Sequence, residues 1–167
     1  MPSVLFICTA NICRSPMASA LFRQKIKKIY SVDNWLITSA GTWATDGMPA
    51  SLNSIAVMDE KGINIQDHRS QIVSSELLQK HNLVLTMEKG HKEALQVEFP
   101  KWADRVYLLS EMIGGSFDID DPYTGTIDDY RVIADDLDQL LSDGFKRICQ
   151  LADDKVIDQL DGEKYIE

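Results

Sequence analysis

The sequence predicts an α/β fold in three layers, with a twisted sheet of four parallel strands flanked by helices on both faces. Short apolar runs alternate with amphipathic stretches along the chain, and this alternation is typical of a parallel sheet covered by helices. The chain has 167 residues, of which 44% are apolar. That length suits one domain with a sizeable core and is too short for two comfortable ones.

Four segments have the composition expected of buried strands. Each is short, rich in aliphatic and β-branched residues, and followed by a polar or turn-forming segment. They lie at residues 4–8, 35–39, 83–87 and 105–109. The carboxyl ends of parallel strands meet at one edge of a sheet, and ligands bind at that edge. Cys8 ends the first strand and is therefore expected there.

Helices are expected between these strands and after the last one. The first, from residue 17 to about 29, has Ser15 as a candidate N-cap and Pro16 at its start. The second ends before Gly62, a residue type favoured just past a helix. Evenly spaced apolar residues predict one long final helix over residues 128–152. The other helices are expected at residues 51–61, 75–80 and 89–99.

The chain is expected to form one domain over residues 1–153, followed by a polar tail at residues 154–167. No apolar run approaches the roughly 18 to 20 residues needed to cross a bilayer. The N-terminal segment lacks the basic and long apolar regions of a signal peptide. Three cysteines are too few for a disulfide framework, which favours a reducing compartment. A cytoplasmic protein is therefore expected. We take a monomer or weak dimer as the working expectation, although the sequence does not determine the oligomeric state.

The charge distribution limits the classes of partner. A net charge of −9 argues against nucleic acid and against an anionic membrane, because both select basic surfaces. Residues 1–110 hold 12 basic and 10 acidic side chains, whereas residues 111–167 hold 5 and 16. An anionic ligand is therefore expected on the first part of the chain.

The segment CTANICRSP at residues 8–16 joins the first strand to the first helix. Inward-turned N–H groups and a helix N-terminus in such a loop form a cradle for a phosphate, so a phosphate-binding loop is predicted after strand 1. Arg14 adds a planar fork for two oxygens of the anion. The same positive field favours the thiolate of Cys8 as a nucleophile, and the Ser15 hydroxyl can bond it. Without this context, Cys8 would be read as a small buried residue.

A second cluster of polar residues, at 118–125, precedes the final helix. A thiolate that displaces a phosphate ester leaves an alkoxide or phenolate, which needs a proton from an acid. Asp121 is the candidate donor, because Pro122 holds it extended and the nearby Asp118 and Asp120 favour its protonated form by repulsion. Asp120 is the adjacent alternative. Taken alone, an acidic loop is more often only a solvated loop.

The motif CTANICRSPMA, close to the N-terminus of a chain of this size, resembles the low-molecular-weight protein tyrosine phosphatase family. The likeness covers residues 3–152, through SAGT at 39–42, HRS at 68–70 and DPY at 121–123. It implies a four-stranded parallel sheet, a phosphocysteine intermediate, a phosphorylated protein as partner, and neither metal nor other cofactor. Ala10 departs from the family, which commonly has glycine there, and its methyl group is expected to tighten the loop.

The resemblance also implies roles for individual residues. Cys8 would be the nucleophile, Arg14 the phosphate clamp and Asp121 the general acid. Asn11 would hold the loop in an unusual backbone conformation, which asparagine tolerates, and His68 would support that asparagine. Ser15 would steady the thiolate. The phosphate would be bound by the whole loop, that is by Thr9, Ala10, Asn11, Ile12, Cys13, Arg14 and Ser15.

Two aromatic residues and a second cysteine complete the expected cleft. By the resemblance, Tyr123 and Trp43 would form its aromatic walls, although loop aromatics are otherwise more often packing residues. Thr124 stands where many members have a second tyrosine. Cys13 resembles a family cysteine that can form a reversible disulfide with Cys8; the alternative is a small buried residue.

The leading hypothesis is a protein-tyrosine phosphatase, and three alternatives stay open. Related protein-arginine phosphatases share the pattern after Asp121 but carry threonine at the position of Ile12, where a bulky apolar side chain favours an aromatic leaving group. Arsenate reductase needs further cysteines in the middle of the chain, and residues 14–148 contain none. A non-catalytic anion-binding module would not need a nucleophile, an arginine fork and an acid together.

Overall fold

A computed structural model describes residues 1–153 of the chain. The tail expected at residues 154–167 lies outside the described residues, and the domain boundary stays a prediction. Within the described part, no helix has both the length and the apolar composition required to cross a membrane.

Four parallel strands form one sheet in the order β2–β1–β3–β4. The strands are β1 (Ser3–Cys8), β2 (Leu36–Gly41), β3 (Leu83–Thr86) and β4 (Val106–Leu108). Every residue of β1 is buried, as expected for an inner strand covered on both faces. The register pairs Cys8 with Gly41 and Ile7 with Thr86, so three strands end together beside Cys8. The predicted parallel sheet is confirmed.

Helices cover both faces of this sheet. They are α1 (Arg14–Ile29), α2 (Leu52–Glu60), α3 (Ser75–Lys80), α4 (Lys89–Glu98), α5 (Ile127–Asp143) and α6 (Phe145–Ala152). Val4 and Phe6 pack in one core cluster with residues of α1, α2, α5 and α6. Leu5 and Ile7 point the other way, into a smaller cluster with residues of α3 and α4. Alternate β1 side chains thus join the three predicted layers.

The start of α1 differs from the expectation that Ser15 caps it. The helix begins at Arg14, the N-cap position is Cys13, and no side chain caps the first turn. Ser15 lies inside that turn and its hydroxyl contacts the Cys8 sulfur instead. Pro16 is tolerated because its missing N–H would have no intrahelical partner in the first turn. The N–H groups at the start of α1 therefore have no side-chain cap, and they lie next to the loop that precedes the helix.

The long final helix expected over residues 128–152 is wrong, because two helices meet at Gly144. A Cβ atom at residue 144 would lie 2.8 Å from the Met112 Cβ, so only glycine allows this close approach. The apolar spacing continues across the break, since Leu141, Phe145 and Ile148 all contribute to the same core. Hydrophobic periodicity alone therefore does not show where one helix ends and the next begins.

Candidate active site

The segment between β1 and α1, residues 9–13, forms an open loop at the carboxyl edge of the sheet. Within the described part of the chain, no backbone N–H group of these residues donates a hydrogen bond to another protein group. Asn11 has a φ of 58° and is the only described non-glycine residue with positive φ. Together with the N-terminus of α1, these free donors are the features of a phosphate cradle.

Asn11 is completely buried and is held from several directions. Its amide nitrogen donates to the hydroxyl oxygens of Ser15 (2.8 Å) and Ser39 (2.9 Å), and its Oδ1 accepts from the Gln71 N–H (3.0 Å). The His68 Nε2–H donates to the Asn11 carbonyl oxygen at 2.7 Å. Burial lowers the His68 pKa, which favours the neutral ring in this role. These contacts stabilise a backbone conformation that is uncommon for a non-glycine residue.

The sequence SAGT at residues 39–42, at the end of β2, holds the loop through hydrogen bonds and a close backbone contact. Ser39 bonds Asn11, and the backbone N–H groups of Thr42 and Trp43 donate to the carbonyl oxygens of Cys8 and Thr9. A Cβ atom at Gly41 would overlap the Thr9 carbonyl oxygen and lie 2.9 Å from the Ala44 Cβ. Glycine is therefore required here by a close approach of two backbones.

Cys8 and Arg14 face the loop from its two ends. The Cys8 sulfur is 2.9 Å from the Ser15 hydroxyl. Arg14 is 1% exposed, and its guanidinium donates to the Ile119 carbonyl oxygen (2.6 Å) and to Glu88 Oε2 (2.9 Å). A guanidinium has five N–H donors, so these two bonds fix its orientation and leave donors for an anion.

Asp121 lies beside Arg14, with Oδ2 3.4 Å from Nη2, and its side chain is 45% exposed. Its Oδ1 accepts the Tyr123 N–H at 3.1 Å. Asp118 has a different contact, because it accepts the Lys89 N–H at 2.7 Å at the start of α4. Asp120 is exposed and does not line the cavity that contains Asp121. Of the three aspartates, Asp121 alone combines solvent access with proximity to the loop.

The residues after this acidic loop have a structural role. Thr126 and Asp129 form a reciprocal capping box that begins α5. Gly125 packs against the Asp129 carboxylate, where a Cβ would be less than 3 Å from the Asp129 Cγ. The sequence DPYTGTIDD at residues 121–129 therefore joins the candidate acid to a fixed helix start.

A cavity of about 290 Å³ contains most of the predicted site residues. Its lining residues are Cys8, Thr9, Ala10, Ile12, Cys13, Arg14, Asp121 and Tyr123. Trp43 does not line this cavity; its side chain is 83% exposed. A larger groove of about 730 Å³ lies between α1, β2 and residues 62–71 and shares no lining residue with the first. The smaller cavity is the candidate catalytic pocket, because it brings nucleophile, arginine and acid together.

Cys13, five positions after Cys8 in the sequence, is also buried, and its sulfur contacts two hydroxyl groups. Its sulfur is 3.4 Å from the Tyr130 hydroxyl and 3.5 Å from that of Ser51. Burial raises the pKa of Cys13, and it raises that of Tyr130 to about 12. At neutral pH Cys13 is therefore a thiol. Its reversible disulfide with Cys8 stays a prediction.

Sequence reasoning missed four residues that shape the site. Ser39 and Gln71 hold Asn11, Glu88 contacts Arg14, and His91 contacts the Thr9 hydroxyl. One signal was available for Glu88, since it closely follows the predicted third strand and therefore lies at the ligand-binding edge. The same signal was available for Ser39, which ends the second predicted strand and begins the SAGT sequence, whereas nothing in the linear pattern distinguishes Gln71 and His91.

Comparisons with known proteins agree with this architecture. The family model for low molecular weight phosphotyrosine protein phosphatase matches residues 3–154. A protein-arginine-phosphatase of Geobacillus stearothermophilus is 38% identical, over 83% of this chain and 90% of its own length. A probable low molecular weight protein-tyrosine-phosphatase of Ralstonia solanacearum is 39% identical, over 72% and 78%.

A solved structure shows the same fold. A low molecular weight protein tyrosine phosphatase from T. tengcongensis superimposes with a TM-score of 0.83 at 36% identity, covering 88% of this chain and 99% of that one. The region matched by the family model, residues 3–154, includes the strand, loop and helix that build the pocket. The chain therefore belongs to the low molecular weight phosphotyrosine protein phosphatase family.

Proposed function

We propose that this protein hydrolyses phosphotyrosine monoesters in phosphorylated proteins through a phosphocysteine intermediate. The observation that carries the proposal is one cavity lined by Cys8, Arg14 and Asp121 together. Membership of the phosphatase family supports the reaction class. The cavity of about 290 Å³ is at the lower end of ligand-pocket sizes, which suits the head group of a phosphorylated side chain.

The chemistry follows from where each group lies. The Cys8 thiolate attacks phosphorus while the loop N–H groups and the Arg14 guanidinium stabilise the charge on the equatorial oxygens. Asp121 protonates the departing phenolate oxygen. The same carboxylate then takes a proton from the water that attacks the phosphocysteine, which releases phosphate and restores the thiolate. The Ser15 hydroxyl, 2.9 Å from the sulfur, stabilises the thiolate before attack and as it leaves.

Phosphoarginine is the second candidate substrate, because a relative is a protein-arginine-phosphatase. The observation that favours phosphotyrosine is the Ile12 side chain in the pocket lining, with Tyr123 also on the wall. An apolar wall offers contact area to an aromatic ring. The Ile12 side chain itself offers no hydrogen-bond partner to the N–H groups of a guanidine, which lose water on entering the pocket, whereas a threonine at this position would offer a hydroxyl.

A parallel assay of phosphotyrosine, phosphoarginine and phosphoserine peptides tests the substrate class. We expect the highest kcat/KM on phosphotyrosine, and Ile12→Thr should shift the ratio toward phosphoarginine. Ile113→Thr is the matched control, since Ile113 is an exposed isoleucine outside the pocket lining. A wild-type preference for phosphoarginine would refute the assignment to tyrosine while leaving the phosphatase chemistry intact.

A further inference from the structure

Glu88 and His91 connect the two ends of the phosphate loop to the start of α4. Glu88 is the N-cap residue of that helix, and its Oε2 lies 2.9 Å from Arg14 Nη2 and 3.2 Å from His91 Nε2. The same His91 nitrogen lies 2.8 Å from the Thr9 hydroxyl oxygen. Thr9 follows the nucleophile and Arg14 ends the loop, so four side chains form a continuous bridge.

The His91 ring is buried, and one of its two nitrogens has no hydrogen-bond partner in the described part of the chain. The residue is 6% exposed, and its Nδ1 is the only buried side-chain nitrogen or oxygen of the described residues without a hydrogen-bond partner. A proton on Nδ1 would therefore be a buried donor with nothing to accept it, which is costly. The neutral ring with its proton on Nε2 fits the surroundings, because Nε2 faces Glu88 and Thr9.

Charged groups act on this ring from several elements. Burial is the main cause that lowers the His91 pKa from its ordinary value of 6.5; Arg14 on α1 lowers it further, whereas Glu88 and, in the acidic loop, Asp118 and Asp121 raise it. Protonation would make the ring and Arg14 compete for a single carboxylate oxygen, Glu88 Oε2. The Arg14–Glu88 contact would weaken as a result.

We propose that His91 is a positioning residue whose neutral ring keeps Glu88 on Arg14 and Thr9 in the loop, and whose protonation loosens the phosphate clamp. This proposal rests on the phosphatase function of the pocket and adds a control on it. Arg14 must present its N–H groups in one orientation to bind two phosphate oxygens. Because Glu88 sets that orientation from one side and Ile119 from the other, losing the Glu88 contact allows the guanidinium to turn.

Three substitutions separate positioning from simple packing. Gln at residue 91 keeps an N–H donor near the position of Nε2 but does not titrate, whereas Leu fills space without any donor. With 4-nitrophenyl phosphate as substrate, His91→Leu should lower kcat/KM roughly tenfold to hundredfold, the scale of a small misplacement in a site. It should also weaken competitive inhibition by inorganic phosphate. His91→Gln should restore most of both losses. His81→Gln is the matched control, because His81 is 1% exposed and bonds Thr38 and Leu77 through its two ring nitrogens.

The pH profile is the readout that a structural role would not change. In wild type, kcat/KM should fall as pH drops through a value below 6.5, because the ring becomes charged. The difference between the wild-type and His91→Gln profiles should show this ionisation, while the His81→Gln profile should match wild type. If His91→Gln fails to fold, the His91 ring can be titrated by NMR in wild type. Because phosphate should bind best when the ring is neutral, bound inorganic phosphate should lower the pKa of His91 and leave that of His81 unchanged.

The two proposals fail in different ways. Wild type that hydrolyses none of the aryl phosphates would refute the phosphatase function. If wild type is active but His91→Leu and His91→Gln have the same pH profile and the same inhibition by phosphate as wild type, the role of His91 alone is overturned. A His91 pKa that bound phosphate raises or leaves unchanged would overturn it as well.

Discussion

Asn11→Ala should destabilise the fold by an amount that the loop contacts determine. Asn11 is fully buried, with a φ of 58°. The substitution removes its hydrogen bonds to Ser39 and Gln71. Ser15 also loses a bond but keeps its contact with the Cys8 sulfur. Alanine must in addition adopt a left-handed conformation that asparagine tolerates better.

The magnitude follows from these losses. A buried polar group left without a partner costs about 1 to 3 kcal/mol. Ser39 is buried and loses its amide partner, whereas Gln71 is half-buried and belongs at the low end of that range. Left-handed alanine adds about 1 to 2 kcal/mol. Together the free energy of unfolding should fall by about 3 to 6 kcal/mol.

Urea unfolding at constant pH measures this change, provided that the slope m stays constant between variants. Asn11→Gly loses the same hydrogen bonds without the steric strain, so it should be about 1 kcal/mol more stable than Asn11→Ala. Asn53→Ala on α2 is the control, because no side-chain hydrogen bond of Asn53 occurs among the described residues; its effect should stay within about 0.5 kcal/mol. The reasoning is wrong if Asn11→Ala costs less than about 1 kcal/mol or is as stable as Asn11→Gly.

Two further predictions concern catalysis. Asp121→Ala should lower kcat on phosphotyrosine by roughly 10² to 10⁴, with a smaller loss on an aryl phosphate whose phenolate leaves easily; steady-state rates on both substrates measure this. Asp120→Ala is the neighbouring control, and an equal loss on both substrates would make Asp121 structural. Arg14→Lys should be nearly as inactive as Arg14→Ala, because lysine keeps the charge but not the fork that reaches Glu88, Ile119 and the phosphate. Arg23→Lys is the control at an exposed arginine, and near-normal kcat in Arg14→Lys would show that charge alone suffices.

Local sequence determined most of the fold and the centre of the site. The strands were predictable because a short apolar run between turn-forming residues indicates a buried strand. The observed strand ends differ from the expected ones by at most two residues. Cys8 and Arg14 were predictable for a related reason. The nucleophile, the loop and the helix start are adjacent in the chain, so a short motif contains them all. Asp121 needed the chemistry of the leaving group as well as its proline neighbour.

Only the tertiary structure decided what surrounds these residues. His91 and Glu88 lie far along the chain from Thr9 and Arg14, and they meet them because β1 and β3 are adjacent in the sheet. The requirement for glycine at residue 144, where α5 and α6 meet, comes from the close approach of Met112, which apolar spacing does not record. The physical reason is common to both cases: hydrogen bonds between side chains and close backbone contacts depend on which elements pack together. The spacing of apolar residues along the chain shows which face of a helix or strand is buried, but it does not show which other element packs against that face.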